Sequence, residues 1–200
     1  DQVNVYFVRQ KEQAGLGDAL KLARNFVGDD DFAVLLGDTI IDPANGSNTH
    51  GLQELMAVHQ QYQSSVVAVR HVPPEWVSRY GIVDGEAVDQ RSDLFKLNQL
   101  VEKPGIEDAP SDLAIAGRYL FTPHIFGCLD NIAPGKGGEL QLTDAMNELA
   151  KQENVQALAW QATRYDIGNK ADYVKCFIEY ALRHPDTSAV TSDILTSYNK

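Results

Sequence analysis

Two cysteines, Cys128 and Cys176, are all that the 200-residue chain carries, and no CxxC spacing joins them. A thiolate metal cluster and a disulfide scaffold have no support, and a reduced, cytoplasmic setting is the economical expectation. No apolar run approaches the ~18 residues of a membrane span. Residues 32–36 (FAVLL) are among the longest and fit a buried strand. Positive charge is scarce: 17 Lys and Arg stand against 28 Asp and Glu, a net −11. Such a surface repels a phosphate backbone and argues against nucleic-acid binding. It leaves room for a small phosphorylated ligand, because a local site with a divalent cation overrides the global field. No signal peptide is visible, although the chain starts with Asp1 and not Met.

Several chemistry-bearing signatures are also missing. No serine sits in a GxSxG elbow, so a serine hydrolase is unsupported. Gly15-x-Gly17 is not a dinucleotide fingerprint, because Leu20 holds the third glycine position. Residues 135–144 (GKGGELQLTD) are glycine-rich but lack the GK[ST] ending of a P-loop; Thr143 is expected to cap the following helix, with Asp144 favouring its positive end. The histidines His50, His59, His71, His124 and His184 show no metal-ligand spacing.

What is present reads as an α/β chain. Residues 3–8 (VNVYFV), 32–36 and 65–72 have strand composition. Residues 18–27 and 51–62 have helical spacing of apolar positions. Alternation of this kind predicts right-handed crossovers and a parallel sheet with helices on its faces. After Pro73-Pro74 the pattern changes: strands are expected over 80–83, 97–102, 114–121 and 155–160, and helices over 124–131, 142–152 and 171–183. Residues 187–200 lack an apolar stripe and read as a tail.

An open parallel sheet binds ligands beyond the carboxyl ends of its strands, which directs attention to the residues there. Gln10 follows the first strand-like run, and Gly15 opens a helix; ligand approach to the backbone and a simple positive-φ turn are both open. Asp38 ends the most apolar strand, as a metal-binding carboxylate or a turn residue. Asp166 precedes a helix, as a second acid on that metal or a cap. Glu102-Lys103 ends another strand before Pro104, as a pair holding sugar hydroxyls and phosphate or as an edge ion pair. Gly81 and Gly117 interrupt strand-like sequence, marking a bulge or a close approach.

Taken in order, VRQKEQAGLGDAL, LLGDTII, YGIV, VEKP, AIAGRYLF, GGELQLTDAM and YDIGNKADYVKCFIEYALRHP resemble the bacterial UTP–glucose-1-phosphate uridylyltransferases, within the nucleotidyltransferases that activate sugar phosphates. The resemblance covers residues 3–185. It implies a Rossmann-like three-layer nucleotidyltransferase fold, α/β, with a mixed, mainly parallel sheet. It implies uridylyl transfer from UTP to glucose 1-phosphate, giving UDP-glucose and pyrophosphate, with Mg²⁺ as cofactor and with self-association. Gln10 and Gly15 resemble the residues that read uracil. Gly81, Glu102 and Gly117 resemble the glucose-binding positions. Lys103 resembles the lysine on the sugar phosphate, and Asp38 and Asp166 the metal acids; these three are the expected catalytic residues.

Two departures stand out. The family's glycine-rich GxGTR loop and PKEM-like segment have no match, so the expectation is one catalytic domain over 1–185 without its N-terminal phosphate-loop segment, a tail over 186–200, and little or no turnover by this piece alone. Asp18 stands where close relatives often carry His. The alternatives are another sugar-phosphate nucleotidyltransferase, such as a thymidylyl enzyme, a glycosyltransferase (disfavoured because Gly37-Asp38-Thr39 offers a single acid), or a non-catalytic nucleotide-sugar-binding homologue.

Overall fold

The computed structural model describes residues 3–42 and 51–198; His50 and the last two residues of the expected tail lie outside them. In chain order the elements are α1 Leu16–Lys21, α2 Arg24–Val27, β1 Phe32–Leu35, β2 Thr39–Asp42, α3 Gly51–Tyr62, β3 Ser65–His71, β4 Gly81–Ala87, β5 Leu94–Glu102, β6 Leu113–Phe121, α4 His124–Asn131, α5 Leu142–Gln152, β7 Val155–Ala159, β8 Thr163–Asp166, α6 Lys170–Arg183 and α7 Ser188–Tyr198. The chain divides into two compact units, 1–35 with 49–161 and 36–48 with 162–200.

The first unit is built on a six-stranded sheet in the order β1-β6-β3-β7-β5-β4. This corrects the expectation of a mainly parallel sheet. Among the described residues only β3 and β7 pair in parallel; β1–β6, β3–β6, β4–β5, β4–β6 and β5–β7 are antiparallel. β1 and β3 do run the same way, as helical crossovers require, but β6 inserts between them. The strands after Pro73 are joined by short connections, and these permit antiparallel neighbours. Residues 3–8, expected as a strand, are irregular and exposed, because no described strand offers them a hydrogen-bonding partner.

The core follows from the patterning. β3 is buried over five consecutive residues, as befits a strand with neighbours on both edges. α5 buries Leu142, Ala145, Met146 and Leu149, an apolar stripe at helical spacing, against β5 and α4. α3 turns Leu55 and Val58 inward against β3 and β6. Both tryptophans, Trp76 and Trp160, belong to this unit.

The second unit pairs β2 with β8 and carries α6 and α7. The Asn169 side chain caps α6, accepting from the N–H groups of Ala171 and Asp172, with Asp172 in the first turn and Arg183 in the last. Arg183 Nη1 donates to Asp42 Oδ2 at 2.6 Å and its guanidinium lies 4.5 Å from the Tyr180 ring centroid, tying α6 to β2. The buried Tyr165 hydroxyl donates to Glu179; burial and that carboxylate push it well above the usual tyrosine range. The segment read as a tail is helical over Ser188–Tyr198, with no buried residue to give it a stripe. Cys128 and Cys176 are free and buried, and burial pushes both thiols up. No helix among the described residues is long and apolar enough to cross a membrane.

Leu149 has no exposed surface. Leu149→Ala should therefore cost about 2–5 kcal/mol in urea unfolding; a loss below about 1 kcal/mol would mean that α5 does not close the core.

Candidate functional site

Three local arrangements gather the residues singled out by the sequence. The first lies around the turn into α1. Gln10 Nε2 donates to Asp18 Oδ2 at 2.7 Å and to the Gly15 carbonyl at 3.2 Å. Gly15 has φ +98°, and a Cβ there would stand 2.7 Å from the Leu140 carbonyl oxygen and 2.8 Å from Glu139 Cβ. Gly17 N–H donates to that same Leu140 carbonyl, and Leu140 N–H donates to the Ala14 carbonyl. The backbone of residues 139–141 lying over the two glycines leaves no room for a side chain at either, and Gly15 alone of the two has the positive φ of a turn. Beside this turn, Tyr6, Val8, Ala19, Leu22, Ala23 and Phe26 line a largely apolar cleft of about 310 Å³ whose polar side chains are Gln10 and, through its hydroxyl, Tyr6.

The second arrangement lies at the ends of β4 and β5. Gly81 and Glu102 sit opposite each other in the ladder. A Cβ on Gly81 would come within 2.9 Å of Ile115 Cδ1 and Thr143 Cγ2 and 3.3 Å of Glu102 Oε2. Lys103 adopts φ +47°, an uncommon conformation for a non-glycine residue and one that functional sites use. Adjacent strand residues normally face opposite ways. The turn at Lys103 brings its Nζ to 3.4 Å from Glu102 Oε1 instead, so both heads sit together at the strand end. Lys103 N–H donates to the Tyr80 carbonyl, which fixes the turn. Gly117 occupies a bulge in β6, where Val67 faces Tyr119 and Val69 faces Ile115, and its φ of +75° is the reason for glycine there.

Thr143 belongs to this second group and differs from the expectation. α5 begins at Leu142 after Gln141, so Thr143 lies inside the first turn and does not cap it; Asp144 is in the first turn as expected. Its Oγ1 is buried with no hydrogen-bond partner among the described residues. A buried hydroxyl left unpaired has a cost and calls for a partner. The glycine-rich run pointed to this segment but to the wrong task for Thr143.

The third arrangement lies in the second unit. β2 and β8 pair Thr39 with Asp166, and Ile167 N–H donates to the Asp38 carbonyl at 2.8 Å. A Cβ on Gly168 would stand 3.2 Å from Asp166 Oδ1 and 3.4 Å from Asp38 Oδ2. The two carboxylates therefore flank one small space that any side chain at 168 would fill. Arg164, two residues before Asp166 and on the same strand face, places Nη2 3.6 Å from Asp166 Oδ2 and 3.3 Å from Thr39 Oγ1. Neither Arg164 nor Gly168 was singled out from sequence, although the i, i+2 spacing to Asp166 carried the signal for Arg164. Two hard oxygen donors beside an open space fit a divalent cation of the Mg²⁺ type, with waters or phosphate oxygens filling the shell. Among the described residues no group of three or more His, Cys, Asp or Glu is placed to hold a metal without such help.

Comparison with known proteins places these arrangements in context. A family model described as nucleotidyl transferase matches residues 1–182. UTP–glucose-1-phosphate uridylyltransferase 1 of Streptococcus pyogenes serotype M1 is 46% identical over 185 residues, 92% of this chain and 60% of that protein. A UTP–glucose-1-phosphate uridylyltransferase of Staphylococcus epidermidis is 43% identical over 188 residues, 94% of this chain and 63% of that protein. A crystal structure of UDP-glucose pyrophosphorylase complexed with UDP-glucose aligns with TM-score 0.83 at 36% identity, covering 90% of this chain and 66% of that one. The UDP-glucose pyrophosphorylase of Acinetobacter baumannii aligns with TM-score 0.84 at 34% identity, covering 96% and 65%. The chain thus spans about 60% of the length of the curated relatives it matches.

Gly15 and Gly137 both have positive φ, but a Cβ on Gly137 would meet nothing within 4 Å. Gly15→Ala should therefore destabilise the first unit more than Gly137→Ala, by roughly 1–3 kcal/mol beyond the shared backbone strain. Equal losses in urea unfolding would show that Leu140 does not hold the turn.

Proposed function

The chain belongs to the nucleotidyl transferase family, and from that premise we propose that it forms the part of a UTP–glucose-1-phosphate uridylyltransferase that binds uridine, glucose 1-phosphate and Mg²⁺. The observation that carries the reading is the pair Asp38 and Asp166, held about one empty position at Gly168. The likeness to uridylyltransferases at 46% and 43% identity supports the choice of reaction. Residues 1–185 are read as one catalytic domain working in the cytoplasm, where two buried, free thiols are at ease. Self-association is part of the same reading.

A phosphate oxygen of glucose 1-phosphate attacks the α-phosphorus of UTP in line. One P–O bond forms, the bond to the β-phosphate breaks, and pyrophosphate leaves with its electron pair. No covalent enzyme intermediate is needed, so positioning and charge neutralisation do most of the work. Asp38 and Asp166 would hold Mg²⁺, which when bound offsets negative charge on the phosphate oxygens. The Lys103 ammonium neutralises the attacking phosphate, and Glu102 accepts from sugar hydroxyls beside it. Gly81 leaves room for the sugar against Ile115, and Thr143 Oγ1 gains the partner it lacks. Gly117 lets the β6 backbone approach the sugar. Gln10 and Gly15 meet the uracil edge.

Calorimetric titration of the 200-residue chain with UDP-glucose, with and without Mg²⁺, tests the reading. Binding that Mg²⁺ strengthens is the expected result, and no binding in either condition would overturn it. Asp38→Asn should remove the Mg²⁺-dependent gain while leaving the melting temperature within a few degrees. In pyrophosphate-release assays on a protein of the relatives' length, the same change should lower turnover about 10²–10³-fold.

A further inference from the structure

We propose that Asp18 is a specificity-determining residue: it fixes the orientation of the Gln10 amide so that the α1 cleft presents a hydrogen-bond acceptor, selecting uracil over cytosine. The inference rests on the reading of Gln10 as a base-contacting residue. A primary amide has two N–H donors and one carbonyl acceptor. Both donors of Gln10 are committed, one to Asp18 Oδ2 at 2.7 Å and one to the Gly15 carbonyl at 3.2 Å. An ionised carboxylate only accepts, so the amide cannot flip without setting oxygen against oxygen at both contacts. What Gln10 has left for a ligand is Oε1, and Oε1 has no partner among the described residues.

The surroundings make that one atom count. Gln10 lines the cleft of about 310 Å³ together with Tyr6, Val8, Ala19, Leu22, Ala23 and Phe26. The walls are largely apolar, with the Tyr6 hydroxyl as the other polar group; that hydroxyl rotates to donate or accept, whereas an amide fixed in one orientation discriminates through the atom it presents. Uracil offers a ring N3–H donor to an acceptor. Cytosine has the same shape but an unprotonated N3, which would face Oε1 acceptor against acceptor. Asp18 accepts from the Gln10 amide and is not among the cleft's lining residues, so it acts through the amide and is a positioning residue.

Affinities for UDP-glucose and CDP-glucose, measured by calorimetry in the presence of Mg²⁺, test this with three proteins. The unmodified chain should prefer UDP-glucose by roughly tenfold or more. Asp18→Asn offers Gln10 a donor as well as an acceptor and should narrow the preference at least about threefold. Gln10→Leu should lose the preference altogether. An unaltered preference in Asp18→Asn, with Gln10→Leu abolishing it, would overturn the role of Asp18 and leave the reading of Gln10 intact. A preference that survives Gln10→Leu would overturn the reading of Gln10 and the present inference with it. A general fall in affinity for both ligands, with their ratio unchanged, would mark Asp18 as merely structural and also overturn the proposal.

Discussion

The first unit depends on the backbone of residues 139–143 being in two places at once. Its Leu140 carbonyl and N–H are bonded to Gly17 and Ala14, and three residues later Thr143 closes over Gly81. A three-residue stretch of backbone spans only about 10 Å. The turn that carries Gln10 and the strand end that carries Glu102 are therefore held within one short reach of each other. Neither glycine at the α1 turn could carry a side chain without pushing Leu140 away, and neither could Gly81 without displacing Thr143 or Ile115. The spacing of the two arrangements is set by this short run of chain, whose backbone packs on Gly15 and Gly17 and whose Thr143 side chain packs on Gly81.

The helices were the legible part of this chain. Residues 51–62, 124–131 and 142–152 are helical as expected, whereas 18–27 is broken into α1 and α2 and the segment expected as a tail carries α7. β2 and β8 escaped notice: they are four residues each, TIID and TRYD, too short and too polar to show alternation. Sheet order was out of reach for a different reason. The insertion of β6 between β1 and β3 pairs residues as close as 42 (His71 with Leu113) and as far as 89 (Phe32 with Phe121) positions apart, and nothing in the local composition of either partner encodes it. The strand composition of residues 3–8 shows the converse, since propensity without a neighbour yields no strand.

The same division applies to the candidate site. Acids at element ends could be found by position: Asp38 and Glu102 after expected strands, Asp166 before an expected helix. Their relations could not. Gly81 faces Glu102 through ladder register, and Asp38 meets Asp166 through the short β2–β8 pair. Lys103 joins Glu102 only because its backbone takes φ +47°. Thr143 was given another task and Arg164 was missed because what marks them is an environment: a hydroxyl buried without a partner among the described residues, and a guanidinium set beside a carboxylate. Environment is a property of the fold and is absent from a residue's immediate sequence.

The division of the chain also decides what a spectrometer sees. Trp76 and Trp160 both lie in the first unit, whereas the second carries Tyr165, Tyr173, Tyr180 and Tyr198 and no indole. Emission excited at the red edge of the absorption band, where tyrosine is silent, comes from indoles of the first unit. Loss of β2, β8, α6 and α7 removes no indole and would register in far-ultraviolet dichroism. A mismatch between the two melting curves is then a direct reading of whether the units unfold together, the usual criterion for all-or-none behaviour.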